Sequence, residues 1–357
     1  MNNTESTPKV KKETKNKIRV EFDDRTPLLE RLRAKLINLY TLKRIVWYLF
    51  RFLLLLGISY VILFPFFSKI SSPFMSPEDL VDVTVRLVPK HPNLDIYKAI
   101  IKDNGYFTAL LNTFVLSLSC GLIQTLVCCF IAYGFAKFKF KGNNILFMCV
   151  IFTMVVPHTT LQLSLFMKFR YFDILGITNL LGGGVWDWLN IFSGTKLDGT
   201  TSINLINSNW PLYILSLTGL AYKNGLYIFM LRQFFRGLPD EIEESAYLDG
   251  SGVFRTFVSI ILPLSMTMMI TVFMFAFCWQ WTDNFYTKLF YTTSGPKLLK
   301  DIIKIPKSLD TNYAGQSLYS SAITNTCGIL IMAPLIILYL FGQKYIVQGI
   351  ERSGITG

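Results

Sequence analysis

Residues Glu244 to Pro263 read E-S-A-Y-L-D-G-S-G-V-F-R-T-F-V-S-I-I-L-P. The first part of this stretch continues a polar segment that opens at Pro239, a residue suited to the first turn of a helix. Acidic residues crowd the start, where they match the positive end of a helix dipole, and Gly250 can take the left-handed conformation that ends a helix. The stretch therefore predicts a short solvated helix, a glycine turn and the proline-containing start of an apolar run.

One face of this predicted helix is apolar and narrow. Leu238, Ile242 and Ala246 recur four residues apart, and the opposite face is acidic. A helix of this kind is suited to docking into a groove on a partner protein. The alternative is a helix that merely connects two apolar segments. That alternative does not explain the spacing between this helix and the downstream residues Ile260 and Leu262.

The composition is that of a membrane protein. Of 357 residues, 52% are apolar and 16% are charged, whereas an ordinary soluble domain is about 25% charged. Charge-free stretches recur at the length of about 20 residues that a helix needs to cross a bilayer. The sequence predicts an all-α protein with six transmembrane helices, at 45–67, 106–136, 145–166, 210–231, 257–279 and 322–341.

Positive charge predicts the orientation. Residues 1–51 carry 13 Lys or Arg, and the link 137–142 adds three without an acid, so both are expected in the cytoplasm. Six spans then place both termini and the loop 236–256 on that side. The same distribution explains the net charge of +12 better than nucleic-acid binding does.

No catalytic residue, metal site or cofactor site is predicted on this chain. The dipeptide Gly-Lys does not occur, which excludes the usual phosphate-binding loop, so any ATP must be hydrolysed on another chain. Cys128 and Cys129 are adjacent, a poor spacing for zinc, and the six cysteines are interpreted as small buried thiols. His158 follows Pro157, and we interpret it as a packing or helix-kinking residue.

The opening stretch resembles the cytoplasmic loop of permease subunits in binding-protein-dependent ABC importers. That loop has the pattern E-A-A, three residues, G, nine residues, then I-x-L-P, and Ser245 is the one departure from it here. Further segments resemble the carbohydrate-uptake branch, in particular the second permease of maltose-type and multiple-sugar importers. These segments are 109–113, 132–142, 229–235, 281–285 and 343–349.

The resemblance implies a type I ABC importer permease fold with a cytoplasmic coupling helix, in a bacterial cytoplasmic membrane. It also implies four partners: a second homologous permease, an ATPase dimer that holds ATP and Mg, an extracytoplasmic solute-binding protein, and a sugar substrate. Nucleic acid is not expected. The implied organisation is a basic cytoplasmic tail at 1–44, disordered at 1–24, a first span and outer loop at 45–105, a five-span permease core at 106–342 with its coupling loop at 236–256, and a cytoplasmic tail at 343–357.

Two sets of residues are implied to contact the ATPase. The coupling residues are Glu244, Ser245, Ala246, Asp249, Gly250 and Pro263. The C-terminal segment resembles a tail that enters the ATPase interface in the maltose-type subunit, with Gly349, Gly354 and Gly357 as its candidate contacts. This chain ends in S-G-I-T-G where that family often has G-A-V-K-G, and a frayed terminus is the alternative.

Polar residues inside the spans are candidates for the translocation path, because each is costly in hydrocarbon unless it faces protein or water. Lys223 marks either a broken helix or a lysine whose stem reaches to the membrane surface. The cluster 279–285 suits a sugar, and an interfacial aromatic belt is the competing interpretation. The candidates are Asn112, Gln162, Lys223, Asn224, Gln280, Trp281, Asp283 and Asn284.

Two outer segments, 71–105 and 182–209, are candidates for docking the solute-binding protein or for tolerated insertions. Two other functions stay open. A six-span secondary carrier or channel would work without ATP, and an ABC permease of the same fold could instead carry amino acids or peptides.

Overall fold

The computed structural model describes residues 12–13, 19–20, 39–173, 194–197, 200–292, 295–309 and 316–354, in two compact units at 1–68 and 69–357. In the first unit, β1 (Lys12–Glu13) pairs antiparallel with β2 (Arg19–Val20). Helix α1 (Leu39–Ser71) begins in this unit and contains Pro65. Disorder is predicted for 1–24, and all of that segment except 12–13 and 19–20 lies outside the described residues.

The second unit is built almost entirely of helices. Two short strands, β3 (Gly194–Leu197) and β4 (Thr200–Ile203), form an antiparallel hairpin. The helices are α2 (Pro77–Val81), α3 (Asp95–Asp103), α4 (Tyr106–Lys137), α5 (Asn143–Val155), α6 (Gln162–Arg170), α7 (Trp210–Leu217), α8 (Asn224–Arg236), α9 (Glu241–Leu248), α10 (Val253–Thr256), α11 (Leu262–Leu264), α12 (Met266–Trp281), α13 (Phe285–Phe290) and α14 (Gln316–Gly354). Single turns of 3₁₀-helix occur at Ser72–Phe74, His158–Leu161 and Leu299–Ile302, and a π-helical turn occurs at Phe257–Ile261.

Helix α4 is the centre of the second unit and packs against α7, α8 and α12. Small residues allow these close approaches: at Gly121, a Cβ would lie 3.3 Å from the ring of Phe273 and 3.4 Å from the backbone of α12. Cys128 and Cys129 are buried where α4 meets α8 and α12. All six cysteines are free, and the predicted burial is confirmed for four of them but not for Cys149, which is exposed.

Fewer helices are long enough to cross a membrane than the sequence predicts. Within the described residues, α1, α4 and α14 are long and apolar enough, and the number rises to five if each of two sharply bent helix pairs is one span. The bent pairs are α5 with the segment His158–Arg170, at 94°, and Val253–Leu264 with α12, at 76°. Six spans and cytoplasmic termini stay a prediction.

The predicted fourth span, 210–231, is not one helix. It is interrupted between α7 and α8, where Gly219 has φ 74° and Lys223 has φ 68°. Two residues in the left-handed region end the regular hydrogen-bond ladder, so a largely apolar sequence still breaks. The broken-helix interpretation of Lys223 is therefore confirmed.

The break between α5 and α6 has a different local cause. Val156 is extended, with φ −66° and ψ 121°, because the ring of Pro157 disfavours a helical conformation in the residue before it. The predicted third span, 145–166, consequently turns sharply in its middle.

Helix α8 packs closely on α5 at Gly225, and this contact yields a test. A Cβ on Gly225 would lie 2.7 Å from Thr153 Oγ1 and 3.1 Å from the Val150 carbonyl oxygen. We expect Gly225→Ala to destabilise the protein by about 1–3 kcal/mol, since overpacking forces backbone shifts. The measurement is the thermal unfolding midpoint of the purified protein.

The matched control for that variant is Gly134→Ala. Gly134 lies on α4, and nothing comes within 4 Å of the position its Cβ would take. Equal unfolding midpoints for the two variants would contradict close packing at Gly225.

Candidate functional site

The helix predicted from the opening stretch is α9. It begins after Pro239 and Asp240, and its first turn holds Glu241, Glu243 and Glu244. At its end, the amide of Gly250 donates to the Tyr247 carbonyl (3.0 Å) and the amide of Ser251 to that of Ala246 (2.9 Å). These two bonds are the Schellman arrangement, and Gly250 has the left-handed φ of 81° that it requires. The predicted cap is confirmed.

The apolar face of α9 is turned inward, contrary to its predicted docking role. Ala246 is buried, and Leu238 packs against the core cluster around α4 and α8. A different side of the helix is open: Glu244, Ser245 and Asp249 are exposed, and Leu248 is 89% exposed. The predicted face is inward because a helix this short needs packing against its own chain to be stable.

A lysine at the end of α4 ties α9 to the rest of the protein. The ammonium of Lys137 donates to the Leu238 carbonyl oxygen (3.0 Å) and to Asp240 Oδ1 (2.6 Å), and it lies 3.9 Å from Glu243 Oε1. The Lys137 and Glu243 side chains are 7% and 8% exposed. Sequence reasoning assigned Glu243 only to the helix dipole and missed this buried cluster.

The two carboxyl groups beside Lys137 have pKa values shifted in opposite directions. Burial raises the pKa of Glu243, with Lys137 opposing the change. The hydrogen bond from Lys137 lowers the pKa of Asp240, which is exposed. Lys137 therefore holds the start of α9 through a carbonyl and a firmly ionised carboxylate, while Glu243 is a partly compensated buried acid.

The chain connects α9 to α12 through a bent segment. Gly252 is extended, α10 and the π-helical turn follow, and Pro263 lies in the first turn of α11. Ser265 then breaks the helix before α12. Pro263 is thus placed, as predicted, where the segment after α9 joins the long apolar helix.

A cavity of ≈870 Å³ lies where the two helix breaks meet the end of α12. Its lining includes the segment around Pro157, residues 219–223 with Gly225 and Leu226, and Trp279 with residues 282–286. Non-helical backbone is tolerated at membrane depth where it is buried in protein or lines such a cavity. The non-helical backbone at the two breaks is therefore tolerated because it lines this cavity.

The ammonium group of Lys223 lies beside two aromatic rings in this cavity. Lys223 Nζ lies 4.8 Å from the ring centroid of Tyr222 and 5.1 Å from that of Trp279. His158 Nδ1 lies 3.0 Å from the Tyr286 hydroxyl oxygen, and its ring packs edge-on against Tyr222. Sequence reasoning gave His158 a packing or helix-kinking role and missed Tyr222 and Tyr286, because nothing in the order of residues brings positions this far apart together.

The predicted path residues fall into two groups. Lys223, Asp283 and Asn284 line the large cavity. A neighbouring cavity of ≈730 Å³ is lined by Asp283 and Asn284 again, and by Trp281. Gln280 lines a small cavity of ≈10 Å³.

The remaining predicted path residues lie apart from the large cavity. Asn112 donates to the Lys297 carbonyl oxygen (3.0 Å), Gln162 is exposed at the start of α6, and Asn224 is buried. Within the described residues, neither atom of the Asn224 amide has a hydrogen-bond partner. Trp281 is buried and donates to the Ile331 carbonyl oxygen (3.1 Å), so its indole is held by α14.

The carboxylate of Asp283 caps a helix. It accepts backbone hydrogen bonds from Phe285 (3.2 Å), Tyr286 (3.2 Å) and Thr287 (2.8 Å), the first residues of α13. Removing such a cap typically costs about 0.5–2 kcal/mol. We expect Asp283→Ala to lower the free energy of unfolding by that amount and Asp283→Asn, which keeps an acceptor oxygen, to cost less.

The control for the cap is Asn284→Ala. Asn284 is exposed and its side chain makes no capping bond, so its removal is expected to leave the thermal unfolding midpoint unchanged. If Asn284→Ala proved as damaging as Asp283→Ala, the capping role would be wrong.

The C-terminal candidates are separated along α14. Gly349 is buried against Thr271 of α12, and a side chain there would meet the Thr271 hydroxyl. Gly354 is the last residue of α14, and Gly357 lies outside the described residues. Contact of this tail with an ATPase stays a prediction, and packing on α12 explains the glycine at 349.

The outer segments are partly described. In 71–105, Asp79 is buried and its carboxylate accepts from the backbone amide of His91 (2.8 Å), so this segment is held by a hydrogen bond of its own. In 182–209, residues 182–193 and 198–199 lie outside the described residues. The later part is a hairpin followed by a turn at Asn207, which has φ 64°.

Comparison with known proteins places most of the second unit in one family. Residues 124–352 match the family model described as the binding-protein-dependent transport system inner membrane component. The chain is 27% identical over 271 residues to the alpha-glucoside transport system permease protein AglG of Rhizobium meliloti, covering 75% of this chain and 62% of that protein.

Two further comparisons extend over more of the chain. It is 25% identical over 319 residues to the galactooligosaccharides transport system permease protein GanQ of Bacillus subtilis, covering 88% of this chain and 98% of that protein. A solved structure of a bacterial ABC transporter that imports the acidic polysaccharide alginate has a chain similar in fold. The TM-score is 0.60 at 18% identity, over 84% of this chain and 96% of that one.

Proposed function

This chain belongs to the family of binding-protein-dependent transport system inner membrane components, and we propose that it is the permease subunit of an ABC importer for a sugar or oligosaccharide. It is a multi-pass membrane protein, and a bacterial cytoplasmic membrane is the proposed location. The names of the relatives AglG and GanQ support a carbohydrate substrate. ATP and Mg would bind a separate ATPase, so this chain would not itself be an enzyme.

Helix α9 is the observation that carries the proposal. It is short, capped at its end, exposed on the side of Glu244 and Leu248, and tied to α4 through Lys137. Those properties suit a helix that seats in a cleft on another protein and transmits force to the long helices. The exposed side would seat in the ATPase, and the buried side around Ala246 would pass the movement to α4 and α8.

The proposed cycle couples two events through this helix. ATP-driven closure of the ATPase dimer would move α9 of this chain and the equivalent helix of a second permease as rigid levers. The spans would then rock from inward-facing to outward-facing, while a loaded solute-binding protein sits on the outer segments. Release of ATP hydrolysis products would reverse the movement and let the sugar pass inward.

The first experiment is to tag this chain, purify it gently from native membranes and identify what co-purifies by mass spectrometry. Recovery of a second permease and an ATPase is the expected result. The recovered assembly, reconstituted in proteoliposomes with its binding protein, should take up sugar only with hydrolysable ATP. A chain that is recovered alone and transports without ATP would instead be a carrier or channel, and ATP-driven uptake of amino acids or peptides only would overturn the sugar assignment.

A further inference from the structure

The two large cavities of the second unit share a wall and carry an excess of positive charge. Both are lined by Thr282, Asp283 and Asn284. Lys223 lines the larger cavity, and three more lysines line the neighbouring one. These three are Lys288, Lys300 and Lys304.

The carboxylates of the same cavities are already engaged. Asp283 is the one acid among the residues that line the larger cavity, and its two oxygens accept three backbone amides of α13. Asp301, the other acid of the neighbouring cavity, accepts the backbone amide of Leu298 (2.8 Å). Both carboxylates are held in place by helix amides, and the described lining of the two cavities carries four lysines against these two acids.

Lys223 in particular has no acidic partner in the part of the chain that the structure describes. Among the described residues, no carboxylate lies within 4.0 Å of its ammonium. Its contacts are the faces of Tyr222 and Trp279, which attract a cation but do not neutralise it. Its backbone has φ 68° immediately before α8, a conformation that is uncommon for a lysine.

We propose that these two cavities form a binding site for an anionic sugar, an oligosaccharide that carries carboxylates, with Lys223 as a contact to one of them. The inference rests on the proposed function and narrows its substrate class. Trp279, which is 44% exposed, supplies a flat face on which the C–H side of a sugar ring can stack, and a carboxylate on that ring supplies the acidic partner that Lys223 lacks among the described residues.

The test uses the whole assembly in proteoliposomes with its binding protein unchanged. The probes are oligouronates of two to four sugars, each paired with its fully methyl-esterified form, which has the same rings and linkages but no charge. We expect the wild type to import a charged member, and Lys223→Met to lower that uptake by about 10- to 100-fold, the range for a lost charge-assisted hydrogen bond. Lys223→Arg should keep most of the uptake, and flux of any imported methyl ester should stay within about twofold of wild type in both variants, since the ester makes no ion pair.

The control is Lys168→Met. Lys168 is exposed and lines neither cavity, so removing its charge should change neither the flux of the charged sugar nor that of its methyl ester. Equal loss of charged and esterified sugars in Lys223→Met would assign Lys223 a structural role and overturn the inference. Wild-type uptake of neutral sugars only would overturn it as well, while leaving the proposed function intact. If the wild type imported no sugar of either kind with ATP, the proposed function itself would fail.

Discussion

Replacing Gly250 by valine is expected to lower ATP-driven uptake at least about tenfold, because a left-handed conformation costs an L-residue roughly 1–2 kcal/mol and a β-branched one more. Gly250 has φ 81° and donates the bond that ends α9. A valine would shift that residue toward a negative φ, which breaks the bonds to the Tyr247 and Ala246 carbonyls. The exposed face around Glu244 and Leu248 would then lose its fixed orientation relative to the helices that follow.

The experiment measures uptake and ATP hydrolysis in the same proteoliposomes. We expect the Gly250→Val assembly to hydrolyse ATP without the stimulation that a loaded binding protein gives, since the ATPase closes but the force is not transmitted. Loss of the ATPase from the purified complex would be the stronger form of the same defect. Normal uptake with normal stimulation would show that the end of α9 does not transmit force.

Gly252→Val is the matched control. The two glycines lie two residues apart, and neither has an atom within 4 Å of the position its Cβ would take. Gly252, however, has φ −75° and ψ 160°, a conformation that valine favours. The pair therefore compares one substitution at two positions that differ in backbone conformation, and only Gly250→Val is expected to uncouple transport.

Replacing Lys137 by methionine is expected to be the second most damaging change to coupling. Lys137 is almost fully buried and bonds the Leu238 carbonyl and the Asp240 carboxylate at the start of α9. Its removal also leaves the buried Glu243 without a nearby cation, and an uncompensated buried charge is strongly destabilising. We expect uptake to fall about tenfold or more, as one lost buried contact of this kind allows.

Lys139→Met is the control for this change. Lys139 is exposed two residues further along the same link and makes no salt bridge within the described residues, so uptake should be unaffected. The double variant Lys137→Met with Glu243→Gln separates the two contributions, because it removes the buried acid as well. It should restore thermal stability more than it restores uptake, and full recovery of uptake would mean that Lys137 serves only to compensate Glu243.

Features that depend on neighbours in the chain were predictable. The start of α9, its glycine cap and the position of Pro263 follow from residues a few positions apart, because helix caps and dipoles act within one turn. The positions of the apolar segments could be predicted from composition, but whether each segment forms one unbroken helix could not. The break at Pro157 could have been predicted from the restriction that proline places on the preceding residue. The interruption between α7 and α8 was one of two interpretations that Lys223 allowed in an otherwise largely apolar stretch.

The sequence by itself determined the family, the membrane setting and the local form of the coupling helix. Only the tertiary structure decided which side of that helix is buried: Ala246 is buried, and Glu243 lies beside Lys137 of α4, about a hundred positions earlier in the chain. It also decided that Lys223 meets Trp279 and that His158 meets Tyr286 around one cavity. Such contacts depend on how helices cross and where they break, and a linear pattern of polar and apolar residues carries no information about either.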